Sequence, residues 1–250
     1  MKKIYLSVFI FLFLFQAKAQ VNVADSVIAT PMFQMNYGIQ LPGGDLAERF
    51  GMGQVTGLNF FYKDQSNWLY GLNFTYVYGN NVKNEADILS NIYTSDTSII
   101  DGNGEYAEIH MYQRGYYISL MGGKLFPVFG PNPNSGITVL GGFSFMQHKI
   151  RIENPENIAY QVVGDYAKGY DQLSNGIGLT QYVGYTYMGN NRVTSFSIGF
   201  EFTQAWTQCR RDYDFVSMQK IDDQRLDLLY SLKVSWILPL YPRASTQFYY

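Results

Sequence analysis

The chain has 250 residues, of which only 15% are charged, and a formal net charge of −2. That balance argues against a nucleic-acid partner, which would favour a basic patch. The single cysteine, Cys209, excludes an internal disulfide framework and any Cys-based zinc cage.

Lys2 and Lys3 precede a mostly apolar run over 4–15, and Ala17-Lys18-Ala19 follows. A basic start, a hydrophobic core and an A-x-A site predict a cleaved export signal over 1–19. A spanning helix would need about 20 apolar residues, and no later run approaches that. The remainder, 20–250, reads as one domain.

Period-two alternation then recurs along the chain. The first strand is expected over 32–40, with Phe33, Met35, Tyr37 and Ile39 on one face and Gln34, Asn36, Gly38 and Gln40 on the other. The second, over 56–62, sets Thr56, Leu58, Phe60 and Tyr62 against Gly57, Asn59 and Phe61. The third, over 68–79, faces Trp68, Tyr70, Leu72, Phe74, Tyr76 and Tyr78 outward. The fourth (114–126) has Tyr116, Ile118 and Leu120 against Tyr117, Ser119 and Gly123. The fifth (137–148) and sixth (176–187) present Val139, Phe143, Phe145, Ile177, Leu179 and Val183 outward. The seventh (195–203) alternates Phe196, Ile198, Phe200 and Phe202 with Ser195, Ser197, Gly199, Glu201 and Thr203. The eighth (226–238) carries Leu226, Leu228, Tyr230, Leu232, Val234, Trp236 and Leu238 on one face. Such strands are long enough to cross a bilayer when tilted, which takes about 9–11 residues. The expected fold is therefore an all-β, antiparallel transmembrane β-barrel of about eight strands. A barrel must close because hydrocarbon cannot satisfy a free sheet edge.

Connections alternate in length: 63–67, 127–135 and 189–192 are short, whereas 41–53, 80–108, 151–175 and 206–224 are long. Outer-membrane barrels have short periplasmic turns and longer external loops. Both termini are thus expected in the periplasm, and the protein in the outer membrane.

Three inward-phase charges, Glu201, Asp227 and Lys233, stand out on the last two strands. Opposite charges in a narrow low-dielectric interior pair rather than stay isolated, so an internal polar network is expected. The alternative is a narrow channel or small-molecule site around these residues and Asn73. His110 and His148 are expected at the outer rim, near Glu108, Arg114 and Arg151, where a lipid-modifying enzyme would need them. No Ser or Thr lies within two residues of either, and no H-E-x-x-H motif is present, so no catalytic, metal or cofactor site is expected. Leu41-Pro42-Gly43-Gly44-Asp45 lacks the Gly-Lys-Ser ending of a phosphate loop and reads as a tight turn. Cys209-Arg210-Arg211-Asp212 either binds anionic glycolipid head groups or pairs across the base of its loop.

Pro239 ends the eighth strand and Pro242 keeps it from resuming. The tail, 239–250, carries Tyr241, Arg243, Phe248, Tyr249 and Tyr250. Its aromatic residues either anchor at the membrane interface or dock on a partner.

The chain resembles small outer-membrane barrel proteins of Bacteroidota. The likeness rests on Leu41-Pro42-Gly43-Gly44-Asp45-Leu46, Ser66-Asn67-Trp68, Gly79-Asn80-Asn81-Val82 and Trp236-Ile237-Leu238-Pro239-Leu240-Tyr241. None of these is a catalytic motif, so the resemblance implies lineage and architecture. Some similar barrels belong to larger outer-membrane assemblies for protein secretion or barrel insertion. The resulting expectation is a non-enzymatic structural or accessory barrel. Its expected partners are outer-membrane lipids and glycolipid, together with other outer-membrane or periplasmic proteins.

Overall fold

The computed structural model describes residues 26–96, 98–189 and 194–240. The expected signal over 1–19, the turn residues 190–192 and the candidate tail residues Tyr241, Arg243, Phe248, Tyr249 and Tyr250 lie outside the described residues.

Eight antiparallel strands pair in sequence order and close on themselves. They are β1 (Thr30–Gly44), β2 (Gly53–Lys63), β3 (Trp68–Gly79), β4 (His110–Phe126), β5 (Gly136–Glu153), β6 (Ser174–Tyr187), β7 (Ser195–Cys209) and β8 (Gln224–Pro239). Closure is made by β1 against β8, in register from Met32↔Pro239 to Gly44↔Asp227. The outward alternation is as expected: Leu72, Leu120, Phe143, Ile177, Phe200 and Val234 are all exposed on the barrel wall. In water a continuous apolar belt of this size would be a liability; facing hydrocarbon it is the stable arrangement.

Several strands run farther toward the long-loop end than the alternation indicated. β4 begins at His110 rather than 114, β5 continues to Glu153 and β7 to Cys209, so 206–209 and 149–153 are strand, not loop. The polarity inverts there. Met111, Gln113 and Ile150 are buried inside, while Tyr112, Arg114, Lys149 and Arg151 point out. A pattern sought as apolar-out loses its phase where the wall leaves the apolar belt. Likewise β1 extends through Gly44, four residues past its expected end at 40, so Leu41, Pro42, Gly43 and Gly44 pair with β8 rather than form the expected tight turn. Gly44 has φ +56, a left-handed conformation that suits glycine, and Asp45 then accepts a hydrogen bond from Leu226 N at 2.7 Å.

Both ends of the barrel are filled with apolar side chains. At the long-loop end the connections fold into a cap that includes α1 (Leu46–Arg49) and α2 (Glu85–Ile88). Its buried core joins Leu46, Phe50, Val82, Leu89, Ile99 and Val162 to inward residues of the strands. At the short-turn end Met32, Phe61, Leu69, Met121, Leu125 and Ile237 meet inside the wall. The polar interior is thus confined between two apolar ends.

The short 63–67 connection turns through Asn67 at φ 63, with Asp64 Oδ1 accepting from Ser66 N and Trp68 N. Lys63, however, belongs to β2 and points inward, where Nζ donates to Ile28 O and Asn134 Oδ1, each at 2.9 Å. Asn134 also accepts from Ile28 N and donates to Ser26 O, so its amide holds the segment that precedes β1. Asn134→Ala orphans buried donors that each cost about 1–3 kcal/mol. Hydrogen exchange at the Ile28 amide should rise about five- to a hundredfold, with β7 unchanged. An unaltered Ile28 rate would show that the amide bridge does not hold the segment.

Candidate functional site

The mid-barrel interior is polar, and its centre is an ion pair. Glu201 on β7 and Lys233 on β8 both point inward, two residues apart in register (Glu201↔Ser231, Gly199↔Lys233). Lys233 Nζ donates to Glu201 Oε1 at 2.6 Å and to Thr75 Oγ1 at 2.9 Å. The Tyr117 hydroxyl donates to the same carboxylate oxygen, and Asn73 Nδ2 to the other at 3.2 Å. The ammonium also lies 5.1 Å from the centroid of the Tyr117 ring. Glu201 is 4% exposed and Lys233 2%, so the pair is desolvated and needs these extra partners. Because β3 and β4 lie across the barrel from β8, the bonds span the lumen. Lys233 is flanked in register by Gly38 and Gly199. A Cβ at Gly38 would collide with Leu232 O, so the two backbones approach too closely there for any other residue. Beside the pair, Ser119, Thr180 and Thr203 form a hydroxyl chain at 3.1 Å spacings.

Asp227 does not join this group. It lies six residues from Lys233 on β8, about 20 Å along the strand. There it is fully buried and accepts from His148 Nε2 at 2.7 Å and from the Thr207 hydroxyl. Arg225 Nε stands 3.8 Å from its other oxygen. The Phe50 ring meets His148 edge-on, with centroids 5.9 Å apart. The expected single network is therefore two, one at mid-barrel and one beneath the cap.

His148 moves with Asp227. Its expected rim position rests on β5 ending there; with five more residues of strand beyond it, His148 is buried inside. His110 does lie at the rim, half-exposed, with Nε2 3.1 Å from Glu108 Oε1. The two histidines are not brought together. A hydroxyl, an imidazole and a carboxylate do converge at Asp227, but in an order unlike a nucleophilic relay. Thr207 and His148 both donate to the carboxylate, so no imidazole nitrogen takes the hydroxyl proton. Among the described residues no three His, Cys, Asp or Glu side chains are grouped to hold a metal ion.

The cap's cations are largely engaged. Arg49 Nη1 donates to Ser174 Oγ at 3.1 Å, and burial, with Arg225 nearby, pulls the guanidinium down to about 10. It thus stays charged at neutral pH. Arg211 makes a two-pronged pair with Asp171, which raises the guanidinium above its ordinary value. Arg210 donates to Asn175 Oδ1 at 2.7 Å. Of the two readings of Cys209-Arg210-Arg211-Asp212, the loop-base pairing is the one seen. Cys209 is the buried last residue of β7.

Sequence reasoning missed Tyr117 as a partner of Glu201, His148 as the partner of Asp227, and the inward turn of Lys63. A large aromatic among inward Gly and Ser was a signal for Tyr117. The other two depended on strand ends.

Fold and interior together define a closed eight-stranded barrel with an apolar outer belt and an internally bonded lumen. No protein-family model matches the chain, and no curated protein does. Among solved structures, it is similar to a major outer membrane protein from Thermus thermophilus, with 13% identity, 83% of this chain and 99% of that one covered, and a TM-score of 0.47. It is also similar to Ail, the attachment invasion locus protein of Yersinia pestis, in complex with the heparin analogue sucrose octasulfate, with 11% identity, 84% and 99% covered, and a TM-score of 0.41. The outer membrane protein OprG from Pseudomonas aeruginosa matches at 13% identity, 86% and 98% covered, with a TM-score of 0.37. At these values the likeness carries no argument, and the functional reading rests on the chain's own geometry.

Proposed function

We propose that this chain is an integral outer-membrane protein: a non-conducting, non-enzymatic barrel that acts as a structural or accessory component and makes its contacts outside the lumen. The membrane reading is supported by the apolar belt on a closed sheet, since a closed barrel is one of two structures whose backbone is satisfied in hydrocarbon. Among the described residues no helix is long and apolar enough to cross a membrane. The long-loop end then faces outward and the short turns face the periplasm. Its resemblance to small Bacteroidota barrels points to the same setting.

The observation that carries the accessory reading is the bridge of Lys233, Glu201, Tyr117 and Thr75 across the lumen. An eight-stranded interior is only wide enough for side chains to fill, and here they bond to one another from opposite walls. What the fold leaves free is the cap surface, where Tyr106, Tyr160, Tyr166 and Tyr213 are exposed. Tyrosine at such a surface favours protein contacts, offering apolar area with a polar tip. Purification from native membranes in mild detergent should recover the chain with an outer-membrane protein at fixed stoichiometry. Serine at Tyr160, Tyr166 and Tyr213 together should release that protein without loss of the folded barrel. Elution of the wild-type chain alone would contradict the accessory role.

A further inference from the structure

On the membrane reading above, we infer that the outer wall of β3–β5 at the long-loop end is a binding site for the phosphate groups of an outer-leaflet glycolipid. Arg114 and Lys149 hold one phosphate, and Arg151 lies one row above them.

Register brings the cations together. Arg114 on β4 faces Lys149 on β5, and Arg151 lies two residues farther along, facing Tyr112. All three are on the outward phase, since their neighbours Gln113, His148 and Ile150 are buried inside. Like charges directly opposite on adjacent strands are destabilising, and an anion set between them reverses the sign. The neighbouring carboxylates do not fill that role. Glu153 pairs with Arg151 at 2.7 Å. Asp171 lies 3.7 Å from Lys149 but is already gripped by Arg211. Among the described residues no carboxylate pairs with Arg114, whose contacts are the carbonyls of Gly79 and Gln113 and the Tyr112 ring at 4.8 Å. Arg114, Lys149 and Arg151 all line one open cleft of about 470 Å³. Tyr76 and Tyr116 line the same cleft on its apolar side.

Depth on the wall selects the ligand. Ten residues separate Lys124 from Arg114 on β4, about 26 Å along the barrel axis for strands tilted near 40°. Between them the outward positions are Tyr116, Ile118, Leu120 and Gly122, none charged. An apolar belt of about 25 Å is what such barrels place in hydrocarbon. Lys124, stacked over Trp68 at 5.7 Å, marks one edge. Arg114 and Lys149 mark the other, at the height of outer-leaflet head groups. A phosphate carried there by a lipid meets the cations while its acyl chains lie on Ile118, Phe145 and Phe74. Arg gives bidentate geometry to phosphate and Lys a point charge.

The test is native mass spectrometry of the folded chain in detergent, titrated with diphosphorylated lipid A, its dephosphorylated form, or inorganic phosphate. The wild-type chain should retain the diphosphorylated lipid, and Arg114→Gln/Lys149→Gln should weaken retention about thirtyfold. Arg210→Gln, on the cap, should leave it unchanged. Arg151→Gln provides a milder variant should the double replacement fail to fold, and it should weaken binding severalfold. Equal retention of phosphorylated and dephosphorylated lipid, full displacement by excess inorganic phosphate, or indifference to these replacements would each overturn the site. Failure of the wild-type chain to insert into lipid vesicles at all would instead overturn the membrane reading, so the two failures are distinguishable.

Discussion

Replacing Lys233 with Met lowers the stability of the folded barrel by about 3–5 kcal/mol, the range for leaving one member of a buried ion pair without its partner. The cost arises at Glu201, which keeps hydrogen bonds from Tyr117 and Asn73 but loses the cation it pairs with in a buried site. Thr75 also loses the ammonium it accepts from. The measurement is a urea series in detergent micelles, with folded and unfolded chains separated by their heat-modifiable mobility. Converting the carboxylate as well, in Glu201→Gln/Lys233→Met, removes the uncompensated charge and recovers most of the loss. Two residues 2.6 Å apart should therefore be strongly non-additive. Additive losses in the double variant would mean that the pair does not brace the lumen.

Asp227→Ala is expected to cost a similar amount, about 3–5 kcal/mol, but at a different place. It orphans His148 Nε2 and the Thr207 hydroxyl and strips the nearby carboxylate from Arg225. The Asp227 cluster lies about 20 Å from Lys233 along β8, directly beneath the cap core that includes Phe50. Hydrogen exchange should therefore rise around Leu226 and in the cap, with little change around Lys233. Asp227→Asn keeps an acceptor oxygen in place and should cost distinctly less. Equal losses for Ala and Asn, or exchange rising as much at Lys233 as at Leu226, would contradict two separate clusters.

What could be read from the chain follows from which positions meet a uniform environment. Outward positions such as Leu72, Leu120, Phe143 and Phe200 all face one apolar medium, so the alternation alone marks eight strands. Glu201 and Lys233 were legible for the related reason that charges on the inward phase of adjacent strands need partners. Beyond the belt the wall meets water outside and the cap core inside, and the polarity reverses at Met111, Ile150 and Arg151. The alternation misplaces strand ends there, which carries His148 to the rim. Its contact with Asp227 links β5 to β8 across the lumen, and such a contact depends on how a closed barrel staggers its strands. No local spacing encodes that. Lys63 is lost in the same way, as a residue with the local look of a turn that instead points inward to hold Ile28.

The most direct test of a structurally closed lumen is a planar-bilayer recording on the purified, folded chain. The predicted result is no step conductance above background for the wild-type protein, and none for Arg114→Gln/Lys149→Gln, whose changes lie on the outer wall. Discrete, reproducible openings of the wild-type chain that change when Lys233 or Glu201 is replaced would contradict it, because those side chains would then line a path rather than bridge one.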